Sequence, residues 1–439
     1  MKNMVKFILI GGFLLFGALS AAIAETKTEG DYVLHIKATA DGSLYKKGDT
    51  ADFLLSVSKK DGSEVEPLDV DWEISKDSVE PKTFGKSKLS GGKLKVSGKL
   101  DEAGFLKCSM TVKLPGGKKV QMLAGAGFAP AEIEPSMPVP SDFKAYWDKQ
   151  REILSSIPMN AKMSRVDYKD PKIEVFDVQA DSFNGLMTGY YARPAGSKPK
   201  SCPAVVLPHG AGVCTSWMGN AVNWAKNGFI ALDFNAHGIK NGQPQEFYDN
   251  LKKGKLNAYP HFGANDRDKT FFRTLYMRLM RAMDFLKSQP EWDGKVLVAY
   301  GTSQGGGQAI AAAALDDKVS LTVPFVPAIC DHSGITIGRT NGWPHFTKLD
   351  KDGKYRKDIV EAVRYIDAMN FAAFIKCPAI FTVGFADPTC QPTSVYAAYS
   401  NVKSPKKIYV CEEARHTVPA EHYRKVFDEV VKYVKESKK

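Results

Sequence analysis

None of the seven cysteines stands in a Cys-x-x-Cys pair, so a zinc site of the usual spacing is not supported. An odd count leaves at least one thiol unpaired even where export permits disulfides. These cysteines read mainly as small buried apolar residues. After residue 24 no apolar run is long enough to cross a membrane, which takes about 20 residues. Internal repeats are lacking. Basic residues outnumber acidic ones by 60 to 49, yet they are not interleaved with aromatics, so the excess reads as solvated surface rather than a nucleic-acid footprint. With 44% apolar and 25% charged residues, the chain is neither disordered, nor collagen-like, nor a small disulfide scaffold.

What is present begins with an export pattern. Lys2 and Lys6 form a basic start, Phe7 opens a greasy run, and Ala22-Ile23-Ala24 offers a small-residue cleavage site. Gly11, Gly12, Gly17 and Ser20 dilute that run, which favours a cleaved signal peptide over residues 1–24 rather than an anchor. The mature chain is then exported, periplasmic or extracellular, with no stable membrane insertion. Loss of the two lysines takes the formal charge from +11 to +9.

Residues 25–129 read as an all-β unit. Strands are expected over 32–40, 51–58, 69–75, 93–100, 105–114 and 120–128, several alternating with period two. Asp41-Gly42, Asp61-Gly62, Gly91-Gly92 and Gly116-Gly117 punctuate them. The spacing suggests an immunoglobulin-like sandwich. Cys108 is its only cysteine, which excludes an inter-sheet disulfide.

Pro130, Pro135, Pro138 and Pro140 then mark a boundary. A helix is expected over 143–154. Beyond it, strands at 204–207, 230–234, 295–300, 321–325, 379–383 and 407–411 alternate with helices at 273–286, 306–315 and 421–434. That alternation over residues 130–439 predicts a mostly parallel sheet with helices on both faces, an α/β-hydrolase architecture.

The sharpest motif is Gly301-Thr302-Ser303-Gln304-Gly305 between the strand at 295–300 and the next helix. Gly-x-Ser-x-Gly in that context is a nucleophile elbow. Serine needs a base, and this fold orders the triad Ser, then acid, then His. His416 follows the last strand and precedes the last helix. Asp387 ends the preceding strand, whereas Asp367 lies before it. Ser303, Asp387 and His416 are therefore the expected catalytic residues, with no metal or organic cofactor. Two amides should hold an oxyanion: that of Gln304, next to the nucleophile, and that of Ala211 in Pro208-His209-Gly210-Ala211-Gly212.

These motifs resemble the acetyl xylan esterase and cephalosporin-C deacetylase family of carbohydrate esterases. Ser303 lies in the family's Ser-Gln-Gly-Gly form. Tyr365-Ile366-Asp367-Ala368-Met369-Asn370 is similar to its Tyr-Phe-Asp-x-x-Asn segment. Asp387-Pro388-Thr389-Cys390-Gln391-Pro392-Thr393-Ser394 is similar to its Asp-x-x-Cys-Pro-Pro-Ser-Thr run, which carries the triad aspartate. The likeness covers about two-thirds of the chain. Two departures stand out: Asn235-Ala236-His237-Gly238 replaces the family's Arg-Gly-Gln, and His416 precedes Thr417 instead of Glu.

The resemblance implies hydrolysis of acetyl groups on xylan-type oligosaccharides or small acetyl esters through an acetyl-enzyme. The family's ring assembly makes a homo-oligomer one expectation, and no nucleic acid is implied. The long segment near 324–374 is expected to cap the site. His209, His237, His332 and Trp343 are candidates for lining the substrate pocket, His209 also for bracing its loop. A broad carboxylesterase, a prolyl-oligopeptidase-like peptidase and a non-catalytic glycan-binding protein remain open at this point.

Overall fold

The computed structural model describes residues 26–437, so the expected signal segment lies outside the described residues. The first nine strands are β1 (Thr26–Glu29), β2 (Tyr32–Ala38), β3 (Leu44–Tyr45), β4 (Thr50–Lys59), β5 (Leu68–Lys76), β6 (Val79–Leu89), β7 (Lys93–Lys99), β8 (Gly104–Lys113) and β9 (Lys119–Phe128). They form a four-stranded sheet, β1-β2-β4-β7, and a five-stranded sheet, β3-β9-β8-β5-β6. Alternation builds the core between them. In β4, Ala51, Phe53, Leu55 and Val57 are buried; in β8, Leu106, Cys108, Met110 and Val112 are. All six strands expected here are found, with ends shifted by one or two residues. The short β1 and β3 and the edge strand β6 are additional.

β9 departs from simple alternation. Val120, Met122, Ala124, Ala126 and Phe128 face the core shared by the two sheets, yet Leu123, Gly125 and Gly127 on the other face are also buried. That second face packs on the rest of the chain.

The larger unit contains α1 (Phe143–Ser155), β10 (Lys162–Val166), β11 (Ile173–Ser182), β12 (Gly185–Pro194), β13 (Cys202–Pro208), α2 (Met218–Ala225), β14 (Ile230–Phe234), α3 (Gln245–Lys253), α4 (Phe271–Ser288), β15 (Trp292–Thr302), α5 (Gln304–Leu315), β16 (Leu321–Phe325), α6 (Lys357–Val363), α7 (Ala368–Ala372), β17 (Ala379–Gly384), α8 (Pro392–Asn401), β18 (Lys406–Cys411) and α9 (Ala420–Ser437). Its nine strands run β10-β11-β12-β14-β13-β15-β16-β17-β18. From β14 to β18 every neighbouring pair is parallel; β10, β11 and β12 join antiparallel at the other edge. This antiparallel edge was not expected from the sequence.

Both sheet faces are covered. Ala204, Val206, Leu297 and Ala299 pack with α1, α4, α5, α7 and α8 on one side; Val205, Leu207, Val296 and Val298 pack with α2 and α9 on the other. Parallel strands buried on two faces carry continuous apolar runs, as β13 does. The loops at the C-terminal ends of β13, β15, β17 and β18 therefore open at one edge of the sheet, where α/β proteins build their sites. All seven cysteines are free thiols, and all except Cys214 are buried.

Candidate active site

Ser303 stands between β15 and α5 with φ 59° and ψ −123°, a left-handed conformation that a serine adopts only under constraint. Glycines permit the turn. A Cβ on Gly301 would lie 2.3 Å from the Gly305 carbonyl oxygen, and one on Gly305 would lie 2.2 Å from that of Pro208. Ser303 N–H donates to Phe325 O at 2.9 Å, and Ser303 O accepts from Ala328 N–H at 2.9 Å. The elbow is thus fixed to the strand beside it.

His416 follows β18 and Asp387 follows β17. His416 Nε2 lies 2.9 Å from Ser303 Oγ, and Nδ1 lies 2.8 Å from Asp387 Oδ2. Asp387 is buried, and its Oδ1 accepts from Thr389 N–H at 2.7 Å and Cys390 N–H at 2.9 Å. Burial lowers the His416 pKa; Cys390 and Asp387 beside it raise it, and the net is upward. Burial also pushes the Cys390 thiol up to about 11, so near neutral pH it keeps its proton. Asp387, Cys390 and His416 bring three ligand atoms within 4.8 Å of one another. Here the carboxylate and imidazole already bond each other and the thiol keeps its proton. Cys390 stands in the Asp-x-x-Cys run of the sequence, but its place beside His416 is a tertiary contact that the run alone does not give.

The loop after β13, which carries Ala211, crosses the elbow: a Cβ on Gly305 would lie 3.0 Å from His209 O. Neither N–H has an acceptor among the described residues. Gln308 Nε2 donates to His209 O at 3.1 Å and to Gln304 O at 3.2 Å, tying the loop to α5. Tyr259 O–H donates to Gln304 Oε1 at 2.8 Å and accepts from Gly212 N–H at 3.3 Å. Tyr259 and Gln308 were not singled out in the sequence.

His209 is buried, stacked on Trp217, with Nε2 2.5 Å from Asp233 Oδ1. Burial lowers its pKa, but the Asp233 carboxylate prevails and raises it to about 10. Asp233 also accepts from Trp217 N–H and Asn220 Nδ2. His237 places Nε2 2.7 Å from Gly212 O, and burial pushes it down to about 4. Asn235 donates to Cys214 O at 2.8 Å and accepts from His237 N–H at 2.9 Å. The departure Asn235-Ala236-His237 is thus a brace beneath the Ala211 loop.

His332 is buried against the Phe346 ring, 4.7 Å between centroids. Trp343 is half-buried beside Phe272. These two pack in one aromatic cluster with Phe346 and Phe272. Asp367, the competing acid, caps α7 and accepts from the N–H groups of Asp331, His332 and Met369 at 2.9, 2.6 and 2.8 Å. Burial raises its pKa to about 8.

The acetyl xylan esterase family model matches residues 131–436. An acetyl esterase, Axe7A, from Xylanibacter ruminicola is 29% identical over 426 residues, 95% of this chain and 94% of that one. Among solved structures, an acetyl xylan esterase from Paenibacillus sp. R4 is 24% identical with a TM-score of 0.60, covering 69% of this chain and 98% of its own. Acetyl xylan esterase 1 from Thermoanaerobacterium sp. is 21% identical with a TM-score of 0.59, covering 69% and 97%. Both carry the α/β-hydrolase fold. The chain belongs to the acetyl xylan esterase family of carboxylic-ester hydrolases.

Proposed function

We propose that this protein is a secreted serine esterase that removes acetyl groups from acetylated oligosaccharides of the xylan type. The reading rests on one observation: a continuous hydrogen-bond path from Asp387 through His416 to Ser303 Oγ. Names of the relatives, acetyl esterase and acetyl xylan esterase, support acetate as the acyl group.

In this reading His416 takes the Ser303 proton as Oγ attacks the ester carbonyl. Asp387 fixes the tautomer with Nδ1 protonated and stabilises the imidazolium. Charge on the carbonyl oxygen is met by the Gln304 and Ala211 amides, donors that need no reorganisation. His416 passes its proton to the departing sugar hydroxyl, leaving acetyl-Ser303. Water, activated by the same imidazole, then releases acetate. Side chains and amides of this chain supply every step. Residues 1–24 act as the export signal, the N-terminal sheets form an immunoglobulin-like sandwich, and the segment near 324–374 shapes the acyl and sugar pockets. Among the described residues no helix is long and apolar enough to cross a membrane.

The test is to assay the mature protein on acetylated xylo-oligosaccharides, aryl esters of increasing acyl length and a proline peptide, beside Ser303→Ala. Wild type should release acetate, lose activity as the acyl chain lengthens, and leave the peptide intact. Ser303→Ala should cost at least ~10⁴-fold. Equal acetate release by both proteins refutes the reading. A preference for long acyl chains makes the protein a broad carboxylesterase instead.

A further inference from the structure

The family match begins only at residue 131, so the two N-terminal sheets are an addition to the family's unit. Their outer face rests on two particular loops, those that leave β17 and β18. Gly125 of β9 meets the first: a Cβ there would lie 2.0 Å from the Phe385 carbonyl oxygen, two residues before Asp387. Phe105 of β8 is fully buried and belongs to the core of the larger unit, not to the core between the sheets. Its ring meets Phe385 edge-on at 4.8 Å and Tyr396 at 5.5 Å. At the β5–β6 turn, buried Asp77 accepts a hydrogen bond from Thr393 Oγ1 on α8.

The second loop is held as well. Arg415, next to His416, donates to Gln121 O of β9 at 3.2 Å. Glu413 lies 3.5 Å from His35 Nε2 of β2. The two loops also touch each other, with Ala386 N–H donating to Ala414 O at 3.1 Å. A shift of either loop therefore displaces both partners of Ser303. Lys107 lies two residues from Phe105 on the same face of β8, opposite Gly125, and its ammonium bonds Ser78 Oγ.

We propose that the N-terminal sheets are a positioning element of the esterase site, holding the loops of Asp387 and His416 through Phe105 and Gly125. The proposal rests on the triad reading above. A catalytic hydrogen-bond chain works only when held within about 0.5 Å of its productive geometry, and rigid strands supply such support better than free loops. Gly125 leaves no slack, because its approach to the Phe385 carbonyl is closer than any side chain allows.

The test uses the full mature chain with Gly125→Ala and Phe105→Leu, scored by kcat, KM and Tm on an aryl acetate. Both should lower kcat about tenfold or more with KM within about twofold. If Gly125→Ala does not fold, Phe105→Leu carries the test. A kcat within twofold of wild type in the interface variants overturns the proposal whatever happens to Tm. Ser303→Ala and Asp387→Asn run alongside. If those two keep wild-type turnover, the triad reading itself falls; if they are inactive while the interface variants are not, only this inference falls.

Discussion

Replacing Asp387 by Asn tests the proposed triad more sharply than any deletion, because it keeps shape and removes one acceptor. The two oxygens have different partners. Oδ1 accepts from two backbone N–H groups, Thr389 at 2.7 Å and Cys390 at 2.9 Å; Oδ2 faces His416 Nδ1 at 2.8 Å. An asparagine must put its carbonyl oxygen where Oδ1 was, since an NH₂ there would face two donors. Its NH₂ then points at Nδ1 and makes that nitrogen an acceptor. The proton moves to Nε2 and is aimed at Ser303 Oγ, which leaves no base for the hydroxyl. The imidazolium also loses its counter-charge. The expected loss is about 10⁴ in kcat, or ~5.4 kcal/mol in the barrier. Steady-state turnover of an aryl acetate measures it, with Tm as the control for folding. Asp367→Asn serves as the contrast. Its oxygens accept from three backbone N–H groups, so it should lower Tm more than kcat. A folded Asp387→Asn enzyme within tenfold of wild type, or a larger kcat loss at Asp367, would refute the assignment.

Three further outcomes follow from the site. Gly305→Ala puts a methyl group 2.2 Å from Pro208 O, which must push the Ala211 loop off the elbow; kcat should fall ~10²–10³-fold, as for one lost oxyanion donor, and a change under threefold counts against the Ala211 assignment. Tyr259→Phe strands Gln304 Oε1 and Gly212 N–H, so chemical denaturation should show a loss of ~1–3 kcal/mol, and an unchanged midpoint would mean the bridge is idle. Burial acts to lower the His209 pKa, but Asp233 raises it from 6.5 to about 10, so the pair's stabilisation is complete below 6.5 and fades as pH rises through 10. Tm should therefore drop more steeply over that window in wild type than in His209→Gln; parallel curves would reject the coupling.

The elbow and its partners were legible because each is a local pattern with fixed order: strand, glycine turn, helix, then two loops after later strands. Other parts carried no such signal. In β11 the buried residues change phase, with Ile173 and Val175 facing one core and Val178 and Ala180 the other, so no long period-two run exists. β6 is an edge strand with lysines along it, and edges protected by charge lack an apolar signature. Cys390 became significant only through a tertiary contact. The docking of β9 did leave a trace that alternation alone does not explain: Ala124-Gly125-Ala126-Gly127 is small on both faces. A strand with one wet face has no need of that; a strand pressed against a second unit does.

The elbow also shows how a local cost is carried by its surroundings. A serine at φ 59° is held against about 1–3 kcal/mol of backbone strain. Left alone, the turn would relax and swing Oγ away from His416. Three backbone hydrogen bonds oppose that: Ser303 N–H to Phe325 O, Ala328 N–H to Ser303 O, and Gly307 N–H to Ser303 O at 3.1 Å. Each contributes about 0.5–1.5 kcal/mol net, so together they match the strain. Two of the three run to β16 and the segment after it, not to the elbow's own helix. The path to His416 runs through β17 and β18, the next strands in the sheet. Ser303 and its two partners are therefore set by strands of one parallel sheet, and the register of that sheet, rather than any single side chain, fixes the distance between Ser303 Oγ and His416 Nε2.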